Sequence, residues 1–340
     1  MATKTIAKSK TTAKSPAKLK YSKKQYLKWY EDMLLMRKIE ERIGHLYIQQ
    51  KFGGFCHLYI GQEAVVVGTR ASMIDGDQMI TGYRDHGHML ACGMESRGVM
   101  AELTGRAGGY SRGKGGSMHM FSTEKHFYGG HGIVGAQVPI GAGLALSNKY
   151  KGNGNVSLAF FGDGASNQGQ VYEAFNMAKL WSLPVVFVIE NNQYAMGTSV
   201  IRSSAETELH KRGSSFEIKG IQVDGMNVLE VRDAAKKAIK HARDGKGPMI
   251  LEMKTYRYRG HSMSDPAKYR TRDEVTKTRS ERDPIDMVKN RLIEEEWATD
   301  DALKSIDKEI KLIVADAAEF AQTSPEPDAS ELYTDVLLDA

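Results

Sequence analysis

Apolar and polar positions divide the chain into stretches of different period. From Ser22 the residues Leu27, Tyr30, Leu34, Ile39, Ile43 and Leu46 recur at helical spacing, and Ser22 with Gln25 three places on forms a capping-box pair. This predicts one long amphipathic helix over 22–50, ended by Gly53-Gly54. Residues 53–147 are Gly-dense and predict short helices between loops. Val156–Phe161 and Val185–Ile189 are continuous apolar runs, separated by a helical stretch over 171–181. Such runs predict strands buried on both faces, joined as a βαβ unit. A helix over Val228–Arg243, opened by Asn227 and Glu230 and stopped at Gly245, leads to a further strand, Met249–Thr255. Residues 256–282 lack apolar periodicity and predict a long loop, while 283–322 return to helical spacing before Pro325 and Pro327. The fold class that follows is α/β, with a mainly parallel sheet flanked by helices.

Charge changes this picture at one end. The chain has 340 residues and a net charge of +5, yet residues 1–30 hold nine Lys and no acid, so the other 310 carry 5 − 9 = −4. Segment 1–20 is too polar to bury a core and is expected to be a disordered Lys-rich tail, with 21–340 forming a single domain. A solvated extension, a docking arm for an acidic partner and a transit peptide are the readings of that tail, and its lack of Arg argues against the last. The folded body shows no basic patch with interleaved aromatics, which argues against nucleic acid as a partner. No apolar run reaches the length of a membrane span. Cys56 and Cys92 stand alone and fit no metal spacing, as expected of a reduced, intracellular protein.

The chemistry concentrates in GDGASNQGQ (Gly162–Gln170) and ENNQY (Glu190–Tyr194). Asp163 falls just past one predicted strand, and Asn192 falls just past the next. In a parallel sheet both face the crevice beyond the carboxyl edge, where ligands bind. The Asp163 carboxylate, the Asn192 amide oxygen and the Tyr194 carbonyl form a hard-oxygen set suited to Mg²⁺ or Ca²⁺, with a diphosphate completing the shell. Gly162 and Gly164 admit close approach of phosphate, and the next helix points its N-terminal dipole at it. Other motifs read more plainly. GGYSRGK (Gly108–Lys114) begins like a nucleotide-binding P-loop, but Gly115 replaces the Ser or Thr and no strand precedes it. His86 and His88 lack further ligands at metal spacing and read as hydrogen-bonding or packing residues; His119 and His131 are weaker candidates still. Cys56 and His57, adjacent on an extended segment, point to opposite sides.

The GDG…NN pair is the thiamine diphosphate motif, and the text around it resembles the alpha subunits of the thiamine-diphosphate-dependent 2-oxoacid dehydrogenase family, above all those acting on pyruvate. GFCHLYIGQEA (Gly53–Ala64), TGYRDHG (Thr81–Gly87), GKGGSMHM (Gly113–Met120), GIVGAQVPIGAG (Gly132–Gly143), YAMGTSV (Tyr194–Val200) and YRYRGHSMSDP (Tyr256–Pro266) carry the likeness, which runs from about Tyr21 to Tyr333. It implies thiamine diphosphate and Mg²⁺ as cofactors. Asp163, Asn192 and the Tyr194 carbonyl match metal ligands, and Tyr83 and Arg84 match diphosphate contacts. Gly164 and Ala165 extend the diphosphate cradle; Gly132 and Val134 match contacts to the aminopyrimidine region. His261 matches a loop histidine touching the cofactor phosphate, and His57 one lining the substrate and lipoyl channel. The implied reaction is oxidative decarboxylation of pyruvate with acetyl transfer to the lipoyl group of a dihydrolipoyl acetyltransferase. Alpha subunits for acetoin or branched-chain 2-oxoacids are the rival readings. The glutamate that activates the cofactor comes from a separate beta subunit, in an assembly of two alpha and two beta chains. Ser199 and Ser262 match positions phosphorylated in mitochondrial members, while Lys268 stands where a third Ser would. That departure and the Arg-free tail favour a bacterial cytoplasmic enzyme over a mitochondrial matrix one.

Overall fold

The computed structural model describes residues 20–337. The expected disordered tail lies outside them except for Lys20, whose ammonium pairs with Asp233. Helix α1 (Lys23–Ile48) starts where the capping box places it, with the Ser22 backbone N–H donating to Gln25 Oε1 at 3.0 Å. Then follow α2 (Glu63–Arg70), β1 (Gln78–Gly82), α3 (His86–Ala91), α4 (Ser96–Leu103), β2 (Phe127–His131) and α5 (Gln137–Lys151). The central unit is β3 (Ser157–Gly162), α6 (Gly169–Leu180) and β4 (Val185–Asn191), after which β5 (Tyr194–Ala195) and β6 (Thr198–Ser199) form a small antiparallel ribbon ahead of α7 (Val200–Ser203). The chain continues through β7 (Lys219–Asp224), α8 (Val228–Arg243), β8 (Met249–Lys254), α9 (Arg272–Arg282), α10 (Pro284–Glu294) and α11 (Asp300–Thr323).

Six strands form one sheet in the order β2-β1-β3-β4-β8-β7, every pairing parallel. Side chains on β4 alternate between two cores. Val186 and Val188 join the core beneath α1, α2, α8, α10 and α11, while Val185, Phe187 and Ile189 join the one beneath α5 and α6. Burial on both faces is why these strands read as unbroken apolar runs.

Two expectations need correction. The Gly-dense stretch 53–147 contains β1 and β2 as well as short helices; β1 offers only Met79 and Ile80 as apolar landmarks, and β2 is the Gly-containing edge strand FYGGH. The loop expected over 256–282 ends in α9, which has no buried residue and so leaves no apolar period to find. It is held by its ends. Thr271 Oγ1 accepts from the Glu274 N–H, Asp273 and Glu274 sit in the first turn, and Arg279 and Arg282 sit in the last.

Candidate functional site

The carboxyl ends of β3 and β4 deliver Asp163 and Asn192 to the same edge of the sheet, each one residue past its strand. Asp163 is 4% exposed, and burial pushes its carboxyl up to about 6, against the pull of nearby backbone N–H groups and the Arg257 charge. Asn192 Nδ2 donates to Gln62 Oε1 at 3.0 Å. One buried guanidinium, that of Arg257, donates through Nη1 to both Asn192 Oδ1 (3.3 Å) and the Tyr194 carbonyl (3.0 Å). The β3 turn and the β5 ribbon meet closely: a Cβ on Gly164 would lie 2.5 Å from that of Ala195, so only glycine fits. Ala165 is buried in the short turn that follows.

A second group stands beside the first. His57, Tyr83 and His261 pack ring to ring, with centroids 4.4 Å apart for His57–Tyr83, 5.1 Å for His57–His261 and 5.8 Å for Tyr83–His261. Arg84 donates to the Leu58 and His261 carbonyls, both at 2.7 Å, and so ties the His57 segment to the His261 loop. Burial, followed by the positive charge of Arg84, lowers His57 to about 2 and His261 to about 4, so both rings are neutral at pH 7. The Nδ1 atoms of both are buried without a protein partner. Gly132 and Val134 lie apart from this cluster on the β2–α5 loop. Gly132 faces His119, and the Val134 carbonyl accepts from Gln170 Nε2 at 3.1 Å, at the start of α6.

The remaining motifs are occupied within the chain, although among the described residues both ring nitrogens of His88 lack a hydrogen-bond partner. Glu102 fills the Gly-rich loop that resembles a P-loop: Oε2 accepts from the N–H groups of Ser111 (2.8 Å) and Gly113 (2.9 Å), and Oε1 from those of Gly115 (2.7 Å) and Gly116 (3.1 Å). His86 lies between Glu40 and Ser117, and His88 packs on Tyr59 and Phe160. Among the described residues no three His, Cys, Asp or Glu side chains group as a metal site. Burial pushes the Cys56 thiol well up, which leaves it a poor nucleophile.

Comparison with known proteins identifies the scaffold. The family described as dehydrogenase E1 component matches residues 31–330. A pyruvate dehydrogenase E1 component subunit alpha of Rhizobium meliloti is 67% identical over 97% of this chain and 97% of its own length. Proteins of the same name from Zymomonas mobilis (57% identical, 95% and 91% covered) and Rickettsia felis (55%, 94% and 98%) align almost as fully. The chain belongs to the dehydrogenase E1 component family.

Members of this family are thiamine-diphosphate-dependent enzymes, and the residues present fit that cofactor. Arg84 and Arg257 are both buried, yet among the described residues neither makes an ion pair; their partners are carbonyl, amide and hydroxyl oxygens. Arg37, equally buried, shows the ordinary solution, with Glu63 at 2.6 Å and Asp283 at 3.1 Å. Carboxylates such as Asp163 feel the charges of Arg84 and Arg257 but contact neither guanidinium, so the pair is suited to receive an anion such as a diphosphate. Arg84 feels its neighbour: burial and the Arg257 charge lower it to about 10. Sequence reasoning gave no role to Arg257 or Gln62. Both act across the fold, and the only signal for Arg257 was its place four residues before His261 in an E1 family motif.

Proposed function

We propose that this chain is the alpha subunit of a thiamine-diphosphate- and Mg²⁺-dependent pyruvate dehydrogenase. It would decarboxylate pyruvate oxidatively together with a beta subunit, in an assembly of two alpha and two beta chains. The acetyl group passes to the lipoyl domain of a dihydrolipoyl acetyltransferase and so feeds acetyl-CoA synthesis. The observation that carries this reading is the pairing of a hard-oxygen set, Asp163, Asn192 and the Tyr194 carbonyl, with two buried guanidiniums that make no ion pair among the described residues.

In this reading the three oxygens hold Mg²⁺, an ion that takes a carboxylate and neutral oxygens together with phosphate. Arg84, Tyr83 and His261 face the diphosphate, cradled by Gly164 and Ala165. Gly132 and Val134 line the aminopyrimidine end, and His57 lines the channel for pyruvate and the lipoyl arm. The cofactor supplies the electron sink for decarboxylation when bound. The chain's own residues bind, orient and exclude water. His57 and His261 are neutral at pH 7, so each offers one nitrogen as acceptor and one as donor without adding positive charge. The glutamate that activates the cofactor is assigned to the beta subunit. The high identity to bacterial proteins supports the bacterial cytoplasm as its location, with 21–340 as one domain.

The test is turnover by the chain co-purified with its candidate beta subunit, read with an artificial electron acceptor. Pyruvate, acetoin and a branched-chain 2-oxoacid are compared, with and without thiamine diphosphate and Mg²⁺. Turnover of pyruvate that needs both cofactors and the beta chain is expected. Preference for another substrate moves the assignment to one of the rival subunits.

A further inference from the structure

Arg257 is 1% exposed, and its guanidinium reaches five oxygen acceptors. Nη1 donates to Asn192 Oδ1 (3.3 Å) and the Tyr194 carbonyl (3.0 Å), Nη2 to the Met196 carbonyl (3.1 Å) and Tyr269 Oη (2.9 Å), and Nε to the Arg259 carbonyl (3.3 Å). Its backbone carbonyl in turn accepts from Arg270 Nη1 at 2.5 Å. Two of the five acceptors belong to the proposed cation ligands. The backbone that carries them is strained: Gln193 (φ 78°) and Met196 (φ 52°) flank Tyr194 in the left-handed region without being glycine. Such a conformation persists where the surroundings over-determine it, and Arg257 grips that short segment at both the Tyr194 and Met196 carbonyls. A carbonyl or amide oxygen has two lone pairs, so accepting from Arg257 leaves one for a cation.

We propose that Arg257 is a positioning residue of the cation site, whose planar fork aims Asn192 Oδ1 and the Tyr194 carbonyl at the ion beside Asp163. The inference rests on the cation-site reading given above. Geometry is the working element: Lys keeps the charge but cannot span carbonyls and hydroxyl together. Outer partners of this kind set how tightly and how selectively an ion is held. Mg²⁺ demands a near-ideal octahedron and Ca²⁺ tolerates a loose one, so a slackened oxygen set loses preference for the smaller ion.

The experiment uses the full chain co-purified with its beta subunit and saturating thiamine diphosphate, with Mn²⁺ binding read by electron paramagnetic resonance and Mg²⁺ and Ca²⁺ as competitors. Arg257→Lys is expected to weaken Mn²⁺ about 10- to 100-fold and to lower the Mg²⁺-over-Ca²⁺ preference, with the melting temperature of the cofactor-free protein held. A purely structural role would lower the melting temperature and leave the ion preference unchanged. Should Arg257→Lys fail to fold, Tyr269→Phe removes one of the two Nη2 acceptors, leaving the Met196 carbonyl, and is expected to weaken Mn²⁺ about 2- to 10-fold. Wild-type Mn²⁺ affinity in a folded Arg257→Lys protein, or in Tyr269→Phe when only that variant folds, overturns the proposal, as does tighter Mn²⁺ binding in Arg257→Gln. Asp163→Ala separates the two claims. If it leaves Mn²⁺ binding intact, the cation-site reading itself fails; if it abolishes binding while Arg257→Lys does not weaken it, only the role of Arg257 fails.

Discussion

Two Gly-rich turns in this molecule look like phosphate cradles, and they differ in what fills them. In the loop Gly108–Gly116 four backbone N–H groups converge on a carboxylate the chain supplies itself, Glu102, which is fully buried. At Gly162–Ala165 the one carboxylate is Asp163, which feels the Arg257 charge, and among the described residues neither Arg257 nor Arg84 makes an ion pair. The first turn is complete as folded. The second has guanidiniums that contact only neutral oxygens, which leaves their positive charge available to an entering anion. A glycine pattern therefore marks where an anion is held, and the charge around it tells whether that anion belongs to the chain or to a ligand.

The comparison can be broken from either side. The largest effect is expected at the open turn: Asp163→Ala abolishes cation-dependent thiamine diphosphate binding and turnover, and full activity in that variant would remove the metal assignment. At the closed turn, Glu102→Ala leaves four N–H groups without an acceptor and is expected to lower stability by on the order of 3–5 kcal/mol, read as a fall in melting temperature. ATP should not shift the melting temperature of the wild type, since the cradle is already filled. His261→Ala is expected to slow turnover by about tenfold or more while the melting temperature holds, and an unchanged rate would take His261 out of the site.

The smallest effect concerns acid stability. His57 has a folded value of about 2 and His261 of about 4, both below the ordinary 6.5. Between pH 6.5 and 4 the unfolded chain takes up protons at these positions that the folded chain refuses, so the cofactor-free protein loses stability as pH falls through that window. His57→Gln should flatten the slope of melting temperature against pH there. An unchanged slope would show that His57 is not held neutral.

What could be read from the sequence follows from how locally each feature is encoded. Strands β3, β4 and β8 announce themselves as apolar runs because both faces are buried, and α8 carries its own cap in Asn227, which accepts from the Leu229 N–H. The edge strand β2 is the Gly-containing FYGGH, β7 buries only Val223, and α9 has no fully buried residue and Val275 as its one apolar side chain, so no periodic signal exposes them. Asp163 and Asn192 were legible because one βα unit separates them. Arg257 meets Asn192 across 65 residues and Gln62 meets it across 130, contacts that no spacing rule predicts. His57 and His261 stood out by family resemblance alone; their shared stacking with Tyr83 is a property of the fold.

The most direct test of the account is calorimetric titration of thiamine diphosphate into the chain co-purified with its beta subunit, with Mg²⁺ present and again after chelation. The oxygen set beside two arginines that make no ion pair predicts saturable binding that depends on Mg²⁺. Binding that is indifferent to chelation, or no binding with Mg²⁺ present, would contradict it.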